Sequence, residues 1–362
     1  MLLEDAETGL AIDVQHHFHR NLEEPVAESV VRGNRIGFIE SIDQNIALLR
    51  NYLKTDAFLF ETLILGKYTK TTVGIAYIDG VAERKLIEEV RMRLEHIEAD
   101  GVIETGDIEE LIEDHPNSIF PQMVVTERVD VVVSSMLEGK VAILVNGTPF
   151  VLVVPGTFFS LTQSPDDYYQ RFFVGSFIRL LRLFFIFIAL CLPAIYVAFS
   201  TFHQELIPSQ LLLTIVVSRE AIPFPAVVEL LIMDITFEGL REAGLRLPKQ
   251  IGAAVSIVGA LVIGEASVNA GLVSRPMVVI IALTGIASFI MPRFNLSTSF
   301  RLLRFPLTLA AASFGFIGLF AGLMMILTHL CSLRSFGVPF MEPIAPLHTF
   351  RLKDSFIRRK IK

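Results

Sequence analysis

Apolar positions change their rhythm halfway along the chain. In the first half they fall into short patterns: 61–65 (ETLIL) and 72–78 (TVGIAYI) are brief β-branched runs, and 81–99 (VAERKLIEEVRMRLEHIEA) sets apolar residues at helical spacing between charges. This predicts strand, strand and helix. Further helices are predicted over 35–54, around 107–113 and around 127–136. In 141–154 (VAILVNGTPFVLVV), Asn146 and Gly147 separate two apolar runs, a hairpin signal because both residues accept positive φ. Together these elements describe a small α/β domain.

From residue 179 the apolar runs lengthen. LLRLFFIFIALCLPAIYVAFS (180–200) carries one charge near its start and is long enough to cross a ~30 Å hydrocarbon core. Apolar stretches 250–272, 276–292 and 305–330 follow. Residues 211–248 lie between them and read differently: the first run is too short to cross, Pro223 and Pro225 break the backbone, and Glu229, Asp234 and Glu238 interrupt the rest. Non-helical backbone at membrane depth survives only where protein or water covers it, so this part is a broken or re-entrant element, or an amphipathic one docked on the bilayer surface. The expected fold is an α/β cytoplasmic domain followed by an α-helical transmembrane domain of about four to six passes, broken helices included. Its expected divisions are an N-terminal extension (1–34), the α/β domain (35–178), the membrane domain (179–347) and a basic tail (348–362).

Charge supports this division. Residues 1–178 hold 14 Lys/Arg against 29 Asp/Glu, and residues 179–362 hold 17 against 9. Hydrophobic residues make up 52% of the chain and the mean hydropathy is +0.57, which points to a membrane protein and away from a nucleic-acid binder. The acidic start, MLLEDAETGLAIDV, lacks the basic region of a secretory signal. Arg171, Arg179 and Arg182 precede the first span and TFHQELIPSQ after it has no Lys or Arg, so the first half is expected in the cytoplasm. The tail, with Arg351, Lys353, Arg358, Arg359, Lys360 and Lys362, favours the same side. Arg241, Arg246 and Lys249, and likewise Arg293, Arg301 and Arg304, fit inside loops only if 211–240 also crosses. The tail is then outside unless 336–350 adds a partial crossing.

Candidate chemistry is sparse. VRGNRIG (31–37) matches no nucleotide-binding fingerprint, and His16, His17 and His19 lack a partner ligand set. Glu104, Asp107, Glu109, Glu110, Glu113 and Asp114 read as a solvated helix face, and Cys191 and Cys331 lie in apolar segments. No nucleophile and base spacing announces an enzyme, and no cofactor or metal is expected.

Within IVGALVIGEASVNAGL (257–272) one carboxylate stands out. On a helix, Ile251, Val255, Val258, Val262, Glu265 and Asn269 form one stripe, flanked by small residues that let membrane helices approach closely. If identical helices surround an axis, Val255, Val258, Val262, Glu265 and Asn269 line a cation path with a valine constriction and an acidic ring. Alternatively, a protonated Glu265 bonds to a neighbouring helix. On the helix after Pro225, Asp234, Glu238 and Arg241 share a face, where Arg241 can pair with Glu238 and a role in subunit contact is expected.

SREAIPFPAVVELLIMDITFEGLREAGLRLPKQIG, SIVGALVIGEASVNAGLVS, LRF and HLCSLRSFGVPFMEPIAPL closely resemble the GerA family of spore germination proteins, in the A-subunit class that includes receptor A subunits and SpoVAF-like members. ETLILGKYTKTTVGIAYIDGVAE and LVNGTPFVLVVPGTF resemble that family's soluble domain, so the likeness runs from about Val31 to Leu347. Family members usually carry a further N-terminal subdomain before the segment matching VAESVVRGNRIGF. The resemblance implies a multi-pass protein of the spore inner membrane that forms a homo-oligomer with a central path for monovalent cations. It also implies partners: a transporter-like B subunit and a lipoprotein C subunit that sense nutrients. A secondary transporter subunit, a non-conducting assembly subunit and a membrane enzyme are the competing readings.

Overall fold

A computed structural model describes residues 24, 25, 28, 32–248, 259, 262, 264–347 and 354–358. Two compact units emerge, and they are interleaved in sequence. The first comprises Met1–Val30, Asn34–Glu109 and Thr126–Leu152; the second comprises Val31–Gly33, Glu110–Val125 and Val153–Lys362.

In the first unit, helix α1 (Ile42–Tyr52) precedes strands β1 (Phe58–Leu65) and β2 (Thr71–Ile78), followed by helices α2 (Arg84–Glu95) and α3 (Thr105–Ile112). Strand β3 (Val124–Thr126), helix α4 (Val129–Leu137) and strands β4 (Val141–Val145) and β5 (Val151–Val154) follow, the division between the units falling within β3 and within β5, and the sheet order is β1-β2-β4-β5-β3. Both strands and the helix expected over 61–99 are present. β1 pairs antiparallel with β2 from Phe58↔Ile78 to Leu65↔Thr71, and β2 pairs with β4 from Val73↔Val145 to Ala76↔Ala142. The sequence of β4, VAILV, is apolar without alternation because every one of its residues is buried. Gly147 takes positive φ (102°) in the connection to β5, and Asn146 contributes differently from expectation, its Oδ1 accepting from Ile42 N at 3.2 Å. α1 starts later than the pattern over 35–54 predicts. Residues before it are extended, Gly37 bridging Arg128 and Phe38 N donating to Glu127 O at 2.8 Å. Asn45 fixes that entry by bonding both the N–H and the carbonyl of Ile39. The acidic run 104–114 is partly structural: Asp107 Oδ2 accepts from Ile103 N and Glu104 N, and Glu104 Oε1 accepts from Thr148 Oγ1.

The second unit is helical. Short helices α5 (Phe158–Thr162) and α6 (Asp166–Tyr169) lead into α7 (Phe172–Thr201), then α8 (Ser209–Arg219) and α9 (Ala226–Arg246). Helix α10 follows, described at 259, 262 and 264–269, then α11 (Arg275–Phe289) and α12 (Phe294–Ser332). A two-strand ladder of β6 (Arg334–Ser335) and β7 (Val338–Pro339) occupies the start of the segment considered for a partial crossing; residues 340–347 form turns. Among the described residues two helices, α7 and α12, are long and apolar enough to cross a membrane, fewer than the four to six passes expected. α8 and α11 are apolar but shorter, at 11 and 15 residues. The break expected within 211–248 is present: α8 ends at Arg219 and α9 begins after Pro225.

α12 is two helical arms. Gly315 sits at φ 61°, ψ −139°, outside helical geometry and in a region that favours glycine. An added Cβ at Gly318 would overlap the Ala310 carbonyl oxygen, and one at Gly322 would come 2.7 Å from Leu307 Cδ1. Farther along, the rings of Phe300 and His329 both pack on Phe120, at 5.7 and 6.1 Å. Residues equidistant from Gly315 therefore meet in pairs, and α12 folds back on itself as an antiparallel hairpin. Its tip packs against the end of α7, where Phe316 lies 4.8 Å from both Phe199 and His203. Its open end is floored by 118–122: Ser118 Oγ meets His329 Nε2 at 3.0 Å, Ser299 Oγ donates to Ile119 O, and Ser335 Oγ donates to Gln122 O at 2.6 Å.

At the other end of α7, Asp167 is buried between Arg182 (2.9 Å) and Arg179 (3.4 Å). Residues 354–358 dock beside them. Tyr168 Oη donates to Asp354 Oδ2 at 2.6 Å, and the guanidinium groups of Arg179 and Arg358 each lie 5.4 Å from the Tyr168 ring. Burial, reinforced by the Asp354 carboxylate, pushes the Tyr168 phenol up to about 12.

Candidate functional site

Three acidic residues of α9, Glu229, Asp234 and Glu238, face arginines supplied by other helices, whereas Glu242 pairs with Arg246 of α9 itself. Glu229, completely buried, lies 3.6 Å from Arg219 of α8. About five residues on, Asp234 meets Arg304 of α12 at 2.7 Å, with both side chains buried. Glu238 then binds Arg301 at 2.6 Å and Arg304 at 3.4 Å. The expected pair of Glu238 with Arg241 is loose, at 4.0 Å; Arg241 instead donates to Ser288 Oγ at 2.7 Å and stacks on Phe289 at 4.2 Å. The result is a ladder of charge pairs joining α8, α9, α11 and α12. Removing one partner of such a pair strands the other charge in an apolar setting, and this makes each rung a strong positional constraint.

Asp234, Glu238 and Arg241 thus lie along one face as the helical spacing predicts, each in an ion pair inside the chain, although both Asp234 oxygens and Arg241 Nε are buried without a hydrogen bond. Sequence reasoning missed Arg301 and Arg304 as their partners, and missed the pair of Arg219 with Glu229. A signal existed: charges inside apolar segments require partners, and RLLRF places two arginines at i, i+3 inside α12. They were read there only as markers of a cytoplasmic loop.

Of the stripe on α10, Val255 and Val258 lie outside the described residues. Val262, Glu265 and Asn269 are described, and all three are exposed on one face. The opposite face packs inward through glycines: Gly264 is buried against Val278 of α11, and Gly259 lies so close to Leu240 of α9 that an added Cβ would come within 2.8 Å. Small residues therefore serve the packing face and the valine and carboxylate stripe points away from the chain's own helices. Among the described residues no cluster of His, Cys, Asp and Glu could hold a metal ion.

Comparison with known proteins places these features in a family. The family model described as Bacillus/Clostridium GerA spore germination protein matches residues 1–362. Spore germination protein KA of Bacillus subtilis (strain 168) is 50% identical over 352 residues, covering 97% of this chain and 65% of its own length. The uncharacterized membrane protein YfkQ of the same organism is 51% identical over 350 residues, 97% of this chain and 68% of its own length. Spore germination protein A1, also from B. subtilis, is 43% identical over 343 residues, 95% of this chain and 71% of its own length. The chain thus spans about two thirds of the length of these relatives. A crystal structure of the N-terminal domain of the A subunit of the Bacillus megaterium spore germinant receptor GerK3 matches 34% of this chain and 97% of that chain, at 44% identity and a TM-score of 0.29. The whole-chain match and the identities to several germination proteins show that this chain belongs to the GerA family of spore germination proteins.

Proposed function

We propose that this chain is an A subunit of a nutrient germinant receptor in the spore inner membrane, and that copies of it surround a path for monovalent cations lined by α10. The observation that carries the reading is the outward stripe of Val262, Glu265 and Asn269 opposite a glycine packing face. Facing lipid, a carboxylate there is expensive. Facing an axis, it forms an acidic ring beside a valine constriction, which favours cations and closes by dewetting. Val255 and Val258, outside the described residues, belong to the stripe by the spacing of the sequence. The ladder fixes the rotation of α9, so that Asp234, Glu238 and Arg241 serve subunit contact indirectly, by holding the exposed Ile232 and Ile235 outward.

In this reading the chain crosses the membrane six times, through α7, α9, α10, α11 and the two arms of α12. The number follows from direction. Glu229 neighbours Ser274 and Arg241 neighbours Ser288, so α9 and α11 run parallel, and the intervening α10 runs back between them. Arg304 meets Asp234 and Arg301 meets Glu238, so the first arm of α12 runs antiparallel to α9. Six crossings return the tail to the side on which the chain entered, the cytoplasmic side, without a partial crossing by 336–350. A transporter-like B subunit and a lipoprotein C subunit are the expected partners that sense the nutrient.

Cation conductance of proteoliposomes at matched levels of assembled protein tests the reading. Val262→Ala raises resting conductance and Glu265→Gln lowers cation flux. Unchanged conductance in both variants removes α10 from the path and leaves a non-conducting assembly subunit.

A further inference from the structure

The rung formed by Glu229 differs from the others. Its carboxylate is fully buried in the helical unit, with Oε1 accepting from both the N–H and the hydroxyl of Ser274, the N-cap of α11. Oε2 has no hydrogen bond. Arg219 stands 3.6 Å away with its Nε buried and likewise without a hydrogen bond, on a side chain that is 22% exposed. The hydroxyl of Tyr196, a residue 8% exposed, is likewise buried without a hydrogen-bond partner, and Tyr196 packs in one cluster with Leu230 and Val273, the chain neighbours of Glu229 and Ser274. Two buried oxygens without a hydrogen bond, Glu229 Oε2 and Tyr196 Oη, therefore lie in the neighbourhood of Ser274 Oγ.

The surrounding backbone suits a cation. α8 ends at Arg219, the residue that meets the carboxylate, and Glu220–Pro225 after it is non-helical. Half-helix C-termini and unwound carbonyls at membrane depth are the usual setting for bound monovalent cations. One charge already sits there, that of Arg219, but it is tethered to the end of a short helix, mostly exposed, whose buried residue is Ile215. The Nε of Arg219 lies 3.6 Å from the carboxylate and makes no hydrogen bond, so a cation can exchange with the arginine there and keep Glu229 neutralised.

We propose that Glu229, Tyr196 and Ser274 form a binding site for a monovalent cation, and that Arg219 is a tethered cation that occupies and closes the site at rest. The choice of ligand rests on the cation-passing function proposed above. The site is separate from the α10 stripe and adds a second station where α8 moves when the ion enters.

The test uses the full chain in detergent at constant ionic strength, with potassium chloride exchanged for choline chloride, whose cation is too large to enter. In Arg219→Gln the buried carboxylate lacks its counter-ion. Raising K+ from about 5 to about 300 mM lifts the thermal midpoint of this variant by about 2–4 °C, and choline does not. The double variant Arg219→Gln with Glu229→Gln is a neutral pair that folds and loses the K+ response. In Tyr196→Phe, introduced into Arg219→Gln, more than threefold more K+ is needed for the same shift. Equal midpoints of Arg219→Gln in the two salts, or a K+ response that persists in the double variant, overturn the site. Should Arg219→Gln fail to fold, Arg219→Lys, whose shorter charge draws back from the carboxylate, takes its place: it binds Rb+ at equilibrium more tightly than wild type and loses this with Tyr196→Phe added, whereas Rb+ binding equal to that of wild type overturns the site. Conductance by wild type with no K+ effect on Arg219→Gln defeats this site alone. A K+ effect without conductance supports it and defeats the α10 path.

Discussion

Phe300 and His329 lie on opposite arms of α12 and close on the same ring, that of Phe120, at 5.7 and 6.1 Å. The fold that permits this is the reversal at Gly315. A side chain there meets two obstacles: the positive φ, and His203 Cε1 within 2.8 Å of a Cβ. Gly315→Ala is expected to destabilise the helical unit by about 1–3 kcal/mol. Gly318→Ala acts on the same hairpin by pushing Ala310 away. Thermal denaturation in detergent checks both, with Gly239→Ala, where an added Cβ meets nothing within 4 Å, as the control.

The hairpin also makes a statement about sidedness. Cys331, at the end of the second arm, is an exposed free thiol, and Cys191 is buried. In intact cells a membrane-impermeant thiol reagent should leave wild type unlabelled and should label Gln204→Cys at the tip side. In inverted vesicles Cys331 should react. Labelling of Cys331 from outside would leave α12 crossing once, against the hairpin.

The rungs of the α9 ladder are expected to respond differently to single and double changes. Asp234→Asn leaves Arg304 buried without its full counter-charge and should cost about 3–5 kcal/mol. Asp234→Leu combined with Arg304→Met restores much of that loss, because a buried pair replaced by apolar residues of similar size is often neutral. A double-mutant cycle on thermal stability reads the coupling.

The same logic applies at the entry to α7. Asp167→Asn removes the carboxylate shared by Arg179 and Arg182 and should destabilise the fold by about 3–5 kcal/mol. Tyr168→Phe removes only the bond to Asp354 and should cost about 1 kcal/mol. Limited proteolysis of the C-terminal segment should accelerate in both variants.

A pH dependence is expected from Glu109, whose carboxyl burial pushes up from 4.5 to about 7. The folded chain keeps the proton to higher pH than the unfolded chain does. The stability this contributes is full below 4.5 and is lost as pH rises through about 7. The group is half-buried, so solvent screening reduces the effect to about 1–2 kcal/mol. Glu109→Gln should therefore be more stable than wild type at pH 8, and its stability should change less between pH 4.5 and 7. An identical pH profile in the two proteins would exclude Glu109 as the source.

Much of the α/β unit was legible because its signals are local. β1, β2, α2 and the Asn146-Gly147 connection follow from alternation, helical spacing and turn chemistry over a few residues. The start of α1 was not, because the contact that keeps 35–39 extended is with Glu127 and Arg128, far along the chain. On α10 the stripe was readable from period alone, and its described members do share one exposed face. The partners of Asp234 and Glu229 were hidden for a different reason. Helical periodicity tells which residues share a face but not which distant helix meets it, so Arg219, Arg301 and Arg304 became partners only through tertiary packing.

Residues 110–125 fold with the helical unit although α4, β4 and β5 separate them from it in sequence. Their Ser118, Phe120 and Gln122 are the surface on which the α12 hairpin stands. For anyone recombining relatives of this family, the inheritable block of the helical unit is therefore discontinuous. A chimera with a single crossover before α7 takes its hairpin from one parent and the floor beneath it from the other. Two crossovers, which keep 110–125 and 153–358 from the same parent, preserve that fit.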